Sequence, residues 1–204
     1  GNVLIANGEI YNFESLRSSM DEYAWRTFGD SETILALYEK SIRSGQKASA
    51  KDHGDWIKQL DGMFAFAIWD RNEKTLTLVR DRYGIKPLYI AETPEGLAFG
   101  SEQKAILAHP GTCAKVDREA LLEYFTFQNL FTNRTLVQGI SLLPAGHFAV
   151  MDMRDDNPHL KFTKYWDFNF TNPSGKIDRR EYVEELERLF AQAVNRQLVT
   201  DVEL

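Results

Sequence analysis

The sequence of 204 residues contains little cysteine, no cluster of basic residues and no apolar segment long enough to cross a membrane. Cys113 is the only cysteine, which excludes an internal disulfide framework and is typical of a reducing compartment. The formal net charge of -6 argues against a nucleic-acid partner. We therefore expect a cytoplasmic protein that binds neither nucleic acid nor a membrane.

The sequence also lacks the motifs that identify several common catalytic centres. It has neither a GxxxxGK[ST] or GxGxxG phosphate loop nor the GxSxG motif of serine hydrolases. The four histidines are scattered without paired spacing, and Cys113 has no second thiol, so no metal site is predicted. The candidates that remain are local groups of amide and carboxylate side chains.

One such group, Asn7-Gly8-Glu9, follows the apolar residues 3–6. The Asn-Gly pair favours a two-residue hairpin turn, whereas the helical spacing of Phe13, Leu16 and Met20 favours a strand, a tight turn and a short helix. We expect the second arrangement, with a buried strand. There, glycine would let a ligand approach the backbone, and an amide beside a free N–H can stabilise an oxyanion.

Asp30 is the second candidate, because it stands where the cap of a predicted helix belongs. Glu9 and Asp30 near an amide and a glycine would suit a zwitterionic small molecule: the carboxylates would bind its ammonium group, and the amide and N–H would bind an oxygen. From the residues alone, a plain helix cap for Asp30 and a solvated turn residue for Glu9 remain open.

The hydrophobic pattern along the chain indicates an α+β fold with antiparallel sheet. "DGMFAFAIWD" predicts a strand buried on both faces, because its apolar run is continuous. A meander is predicted between residues 75 and 100, and a strand pair near residues 141–168. Helices are predicted at "SEQKAIL", after Asp117, and from Asp178 to about Leu198.

Five motifs occur here in one order: "ANGEIYNF", "GDSETILALYE", "LDGMFAFAIWD", "RDRYGIKPLYI" and "FGSEQKAIL". Together they strongly resemble the class II (Ntn-type) amidotransferase domain of glutamine-hydrolysing asparagine synthetases of the B type. Phosphoribosyl-pyrophosphate amidotransferases carry something similar to the last two motifs. The later "LLPAGHF", "KYWDF" and the C-terminal helix favour the asparagine synthetase group.

This resemblance implies an Ntn-hydrolase-type α/β/β/α sandwich of two antiparallel sheets, incomplete at the N-terminus. Residues 1–168 would form the amidotransferase domain, 169–177 a linker, and 178–204 the first helix of an ATP-dependent synthetase domain. The implied substrate is glutamine and the implied partner is that synthetase domain, which would use ATP and Mg; no cofactor is expected in this chain. The apolar stripe of the last helix would then lack its normal cover, so we expect a homodimer.

The resemblance also assigns roles to the candidate residues. The side chain of Asn7 and the backbone N–H of Gly8 would form the oxyanion hole, and Glu9 and Asp30 would hold the α-amino group of glutamine. The family's nucleophile is a cysteine at residue one, where this sequence has glycine, and Cys113 lacks the terminal amine that acts as base. We therefore expect this chain alone to be inactive and a preceding segment to carry the nucleophile.

Two other functions remain open from the sequence. The chain could be the glutaminase-like domain of another amide-forming synthetase, similar to β-lactam synthetase. It could also be a non-catalytic amino-acid-binding module that has lost its nucleophile.

Overall fold

The computed structural model of the protein describes residues 1–43, 53–171 and 178–198. Two antiparallel sheets form its centre. The five-stranded sheet contains, in spatial order, β1 (Val3–Ile10), β2 (Gly62–Asp70), β3 (Thr75–Arg80), β7 (His147–Asp152) and β8 (Lys161–Lys164). The three-stranded sheet has the order β5 (Gly96–Gly100), β4 (Tyr89–Thr93) and β6 (Ser141–Leu142).

Helices cover the outer faces of both sheets. The larger sheet is covered by α1 (Phe13–Ser18), α2 (Glu32–Arg43) and α3 (His53–Ile57), and the smaller sheet by α4 (Gln103–Leu107). Two further helices, α5 (Arg118–Phe127) and α6 (Arg179–Gln197), follow along the chain. One apolar core lies between the larger sheet and α1–α3, a second between the two sheets, and a third between the smaller sheet and α4. The expected α/β/β/α order of layers is confirmed.

Strand β2 is an inner strand that is buried on both faces, as its apolar run predicts. Phe64, Phe66 and Ile68 face the helices, while Ala65 and Ala67 face the smaller sheet. All five side chains are at most 4% exposed. Because successive side chains of a strand point to opposite faces, a strand covered on both sides needs apolar residues at every position.

Asn7, Gly8 and Glu9 lie inside a strand, so both the tight turn and the hairpin predicted for them are wrong. Strand β1 pairs with β2 over its whole length, Asn7 opposite Ala65 and Glu9 opposite Met63. The turn comes later, at residues 11–12. Gly8 has a φ of +152°, and a Cβ there would lie 2.1 Å from the carbonyl oxygen of Met63. The glycine therefore serves close strand pairing rather than a turn.

Strand β1 is also more exposed than predicted. It is an outer strand of its sheet, paired only with β2. Ile5 lies opposite Ala67 on the face between the sheets, yet its side chain is 63% exposed. An apolar run alone cannot distinguish an outer strand from a central one, because the neighbours of the strand decide its burial.

The chain passes from the larger to the smaller sheet between β3 and β4, which corrects the predicted meander. The carboxylate of Asp81, at the end of β3, is fully buried. It accepts hydrogen bonds at 2.9–3.3 Å from the backbone N–H groups of Phe64, Tyr83, Ile85 and Lys86. "RDRYGIKPLYI" is thus the crossover between the sheets, organised around one carboxylate.

Arg80 supports the same crossover from its other side. Its guanidinium group donates to the backbone carbonyls of Gly84, Lys86 and Leu143 at 2.7–2.9 Å. Desolvation lowers the pKa of Arg80, while the neighbouring Asp81 opposes that shift. Asp81 thus accepts from backbone N–H groups of the crossover, and the adjacent Arg80 donates to its backbone carbonyls.

Helix α6 begins after Asp178, close to the predicted start, and the side chain of Asp178 caps it by accepting from the backbone N–H of Arg180. Every residue of α6 is exposed, including its apolar stripe of Tyr182, Leu186, Leu189, Phe190, Ala193 and Val194. Most of the predicted linker and residues 199–204 lie outside the described residues.

No helix within residues 1–43, 53–171 and 178–198 is long and apolar enough to cross a membrane.

Candidate functional site

The backbone of β1 presents alternate N–H groups to its unpaired edge. Tyr11 N–H donates toward β2, to the carbonyl of Asp61 at 2.7 Å. Phe64, which lies opposite Gly8, uses its backbone N–H and carbonyl to bond Asp81 on the far side of β2, so it does not bond Gly8. In an antiparallel pair, hydrogen-bonded and non-bonded positions alternate. The N–H groups of Gly8 and Ile10 therefore point away from β2, toward the open edge of the sheet.

The carboxylate of Asp30 lies at this same edge. Its Oδ2 accepts a hydrogen bond from the Ile10 N–H at 2.7 Å, and its Oδ1 accepts from the hydroxyl of Ser31 at 3.1 Å. The structure thus brings Asp30 against the peptide bond that follows Glu9, although twenty residues separate Asp30 from Ile10 in sequence.

The helix cap predicted for Asp30 takes a different form. Helix α2 starts at Glu32, and the backbone carbonyl of Asp30 accepts from both the N–H and the hydroxyl of Thr33. Its carboxylate turns instead to β1. The sequence predicts that this helix ends at Gly45, and that residue lies outside the described residues.

The side chain of Asn7 faces the space between the two sheets. Because strand side chains alternate, Asn7 and Glu9 project from the same face of β1, about 7 Å apart along the strand. The Nδ2 of Asn7 donates to the Oγ of Ser101 at 3.0 Å. Ser101 follows the outer strand β5 of the smaller sheet, so this bond joins the two sheets beside the edge that holds Asp30. The motif "FGSEQKAIL" contains Ser101, but its contact with Asn7 depends on packing that sequence spacing does not reveal.

The loop that leads to Asp30 is held by Glu32, the first residue of α2. Its carboxylate accepts from the backbone N–H groups of Arg26 and Thr27 and from the hydroxyl of Thr27, at 2.7–2.9 Å. Desolvation raises the pKa of Glu32, but the hydrogen bonds from Thr27 and Arg26 outweigh it, and the net pKa is lowered. The folded protein therefore favours the ionised carboxylate.

Arg17 of α1 holds the other side of the loop. Its guanidinium group lies 4.3 Å from the centre of the Trp25 ring and donates to the backbone carbonyl of Thr27. Such a cation–π contact at a partly exposed position contributes about 0.5–1 kcal/mol. Two helices thus fix the loop immediately before Asp30.

We expect Glu32→Gln to lower the free energy of unfolding at pH 7 by about 1–2 kcal/mol, because the amide replaces one acceptor oxygen with a donor. The lowered pKa sets the pH dependence. The contribution of the Glu32 carboxylate to stability is fully present above its ordinary pKa of about 4.5. It is lost as the pH falls through the lower pKa of the folded state. The difference between wild type and variant should therefore shrink below about pH 4.5 in urea unfolding.

Glu39→Gln on the same helix is the matched control. Glu39 pairs with Arg43 on the surface at 3.4 Å, and such pairs contribute little. An equal loss of stability in both variants at pH 7 would show that Glu32 does not hold the loop.

Chemically, the edge of β1 offers hydrogen-bond donors and carboxylates within a short stretch. The Gly8 N–H and the Asn7 amide can bind an oxygen that carries negative charge, and Glu9 and Asp30 can bind an ammonium group.

Among the residues that the structure describes, no group of three His, Cys, Asp or Glu side chains could hold a metal ion. Cys113 is exposed on the segment that joins α4 to α5.

Comparison with known proteins points to one family. Residues 1–166 match the family model described as "Glutamine amidotransferase domain". Two curated relatives from Bacillus subtilis, "Asparagine synthetase [glutamine-hydrolyzing] 3" and "2", are 34% and 31% identical over 98% and 99% of this chain. A "Putative asparagine synthetase [glutamine-hydrolyzing]" of Mycobacterium tuberculosis is 32% identical over 98% of it.

The chain spans only 26–30% of the length of these relatives. Among solved structures, it resembles a glutamine phosphoribosylpyrophosphate amidotransferase from B. subtilis, with a TM-score of 0.55 and 18% identity over 81% of this chain and 29% of that one. At that identity the likeness concerns the fold, which is the one predicted from the sequence.

Proposed function

The chain belongs to the family of glutamine amidotransferase domains, and from that premise we propose that it is the glutaminase part of an asparagine synthetase. In this role it hydrolyses glutamine, and the ammonia is used elsewhere in the complete protein for ATP-dependent amidation of aspartate. The match to asparagine synthetases supports the proposal, because it extends over 98–99% of this chain.

The contact between Asp30 and β1 carries the assignment of the glutamine site. By accepting from the Ile10 N–H at 2.7 Å, Asp30 comes to the edge at which Gly8 presents its own N–H. In the proposed complex, Glu9 and Asp30 bind the α-ammonium group of glutamine. The side-chain carbonyl oxygen lies between the Asn7 amide and the Gly8 N–H, which stabilise the negative charge that develops on it.

The proposed nucleophile is a cysteine outside this sequence. Its thiolate attacks the side-chain amide carbon of glutamine, the amide nitrogen leaves as ammonia after protonation, and water hydrolyses the thioester. The one cysteine of this chain, Cys113, is exposed on the segment between α4 and α5. We therefore propose that this chain without its parent protein does not hydrolyse glutamine.

The other proposed partners belong to the synthetase domain. ATP and Mg bind there, and this chain supplies glutamine-derived ammonia. Residues 178–204 are proposed to begin that domain, with 169–177 as a linker. The exposed apolar stripe of α6 supports this division, since such a stripe is usually covered. We further propose a cytoplasmic location and, when the stripe has no cover, a homodimer.

Two alternatives are separable by experiment. A glutaminase-like domain of another amide-forming synthetase, similar to β-lactam synthetase, would use glutamine but fail to amidate aspartate. A non-catalytic amino-acid-binding module would bind glutamine without releasing ammonia.

The test of the proposed site is Asp30→Asn in the complete protein that contains this chain. Loss of one charge-assisted hydrogen bond to the ammonium group should raise the KM for glutamine about 10–100-fold. Asparagine formation from added ammonium salt does not require glutamine, so it measures the synthetase reaction separately from the glutamine site. Asp21→Asn, an exposed acid of the same loop, is the matched control. An unchanged KM for glutamine in Asp30→Asn would contradict the assignment.

A further inference from the structure

The contact between Asn7 and Ser101 has no role in the function proposed so far. Asn7 belongs to β1 at the edge of the larger sheet, and Ser101 directly follows β5 at the edge of the smaller one. The bond from Asn7 Nδ2 to Ser101 Oγ is 3.0 Å long and spans 94 residues of sequence. The position of the amide therefore depends on how the two sheets are packed.

We propose that Ser101 is a positioning residue for glutamine hydrolysis, which acts by orienting the amide of Asn7. This inference rests on the proposed function, in which Asn7 stabilises the oxyanion. The Nδ2 atom of asparagine carries two hydrogens. Ser101 takes one of them, so the amide plane is fixed and the second hydrogen remains to be donated to the substrate oxygen.

Such support matters because the amide torsion of asparagine is intrinsically broad. Asn7 is exposed, so packing around it does little to fix the torsion. A donor that is already oriented stabilises charge without reorganisation during the reaction, which is the source of its catalytic effect. A hydroxyl acceptor at residue 101 supplies that orientation, and a methyl group there does not.

The expected kinetic signature follows from when the oxyanion exists. Negative charge on the oxygen develops only in the transition state, so a misoriented amide lowers kcat and leaves the KM for glutamine nearly unchanged. Removing an oxyanion donor altogether costs about 10²–10³ in kcat. Losing only its orientation costs less, and for Ser101→Ala we expect a decrease of about 5–30-fold in kcat.

A double-mutant cycle in the complete protein tests the inference. If Ser101 acts through Asn7, Ser101→Ala should lower kcat in the wild-type background and have no further effect in Asn7→Ala. Ser101→Thr keeps the hydroxyl and should restore most of the rate. Ser18→Ala removes an exposed hydroxyl that bonds within α1, and it serves as the control. Thermal unfolding of each variant separates lost folding from lost orientation.

Each other outcome identifies what has failed. An unchanged kcat in Ser101→Ala, or an equal decrease in the Asn7→Ala background, would overturn the role of Ser101. A failure of Ser101→Thr to recover activity in a folded protein would count against the hydroxyl as the acting group. If Asn7→Ala itself retained full kcat, the oxyanion role proposed for Asn7 would be wrong as well.

Discussion

Replacing Asp81 with alanine is expected to lower the free energy of unfolding by about 3–5 kcal/mol. The carboxylate is fully buried and accepts hydrogen bonds from four backbone N–H groups, three in the crossover between the sheets and one in β2. Alanine would remove the acceptor of all four donors at a fully buried position, which costs more than the loss of a surface contact. Urea unfolding monitored by tryptophan fluorescence measures the change.

Asp55→Ala provides the matched control, because Asp55 pairs with Lys58 on the surface at 2.9 Å. Its removal should change the stability by no more than about 0.5 kcal/mol. Asp81→Asn should fall between wild type and Asp81→Ala, since it retains one acceptor oxygen. A loss in Asp81→Ala as small as that in Asp55→Ala would show that the crossover does not depend on this carboxylate.

The second large effect is expected in catalysis. In the complete protein, Asn7→Ala should lower kcat for glutamine hydrolysis by about 10²–10³-fold, with little change in the KM for glutamine. The amide is proposed to donate to an oxygen whose charge develops only in the transition state. Ammonia release under saturating glutamine measures kcat directly.

Asn133→Ala, at an exposed position of the loop after α5, is the control for Asn7→Ala. Asn7→Asp should be at least as impaired as alanine, because a carboxylate repels the developing oxyanion. Equal rates for wild type and Asn7→Ala would remove Asn7 from the catalytic group and leave Gly8 as its only proposed oxyanion donor.

Elements defined by local physics were predictable from the sequence. The continuous apolar run of β2 predicts a strand buried on both faces, and in the structure both faces of β2 are buried. Asp117 was predicted to begin a helix, and its side chain accepts from the N–H groups of Glu119 and Ala120. The layered sandwich itself followed from the resemblance of the motifs to a known family, rather than from residue spacing.

Features that depend on distant partners were not predictable in this way. Asn7-Gly8 has the composition of a turn, but pairing with β2 extends the strand through it. Ser101 and Asp81 owe their roles to the meeting of two sheets. Local propensity has no information on such contacts, and tertiary pairing overrides it where many hydrogen bonds are gained at once.

The most direct test of the proposed site is a crystal structure of the complete protein with L-glutamine bound. We expect the α-ammonium group within hydrogen-bonding distance of the carboxylates of Glu9 and Asp30. We also expect the side-chain carbonyl oxygen within about 3 Å of Asn7 Nδ2 and of the Gly8 backbone nitrogen. Glutamine bound away from the edge of β1, or bound there with its ammonium group turned away from both carboxylates, would contradict the proposed site.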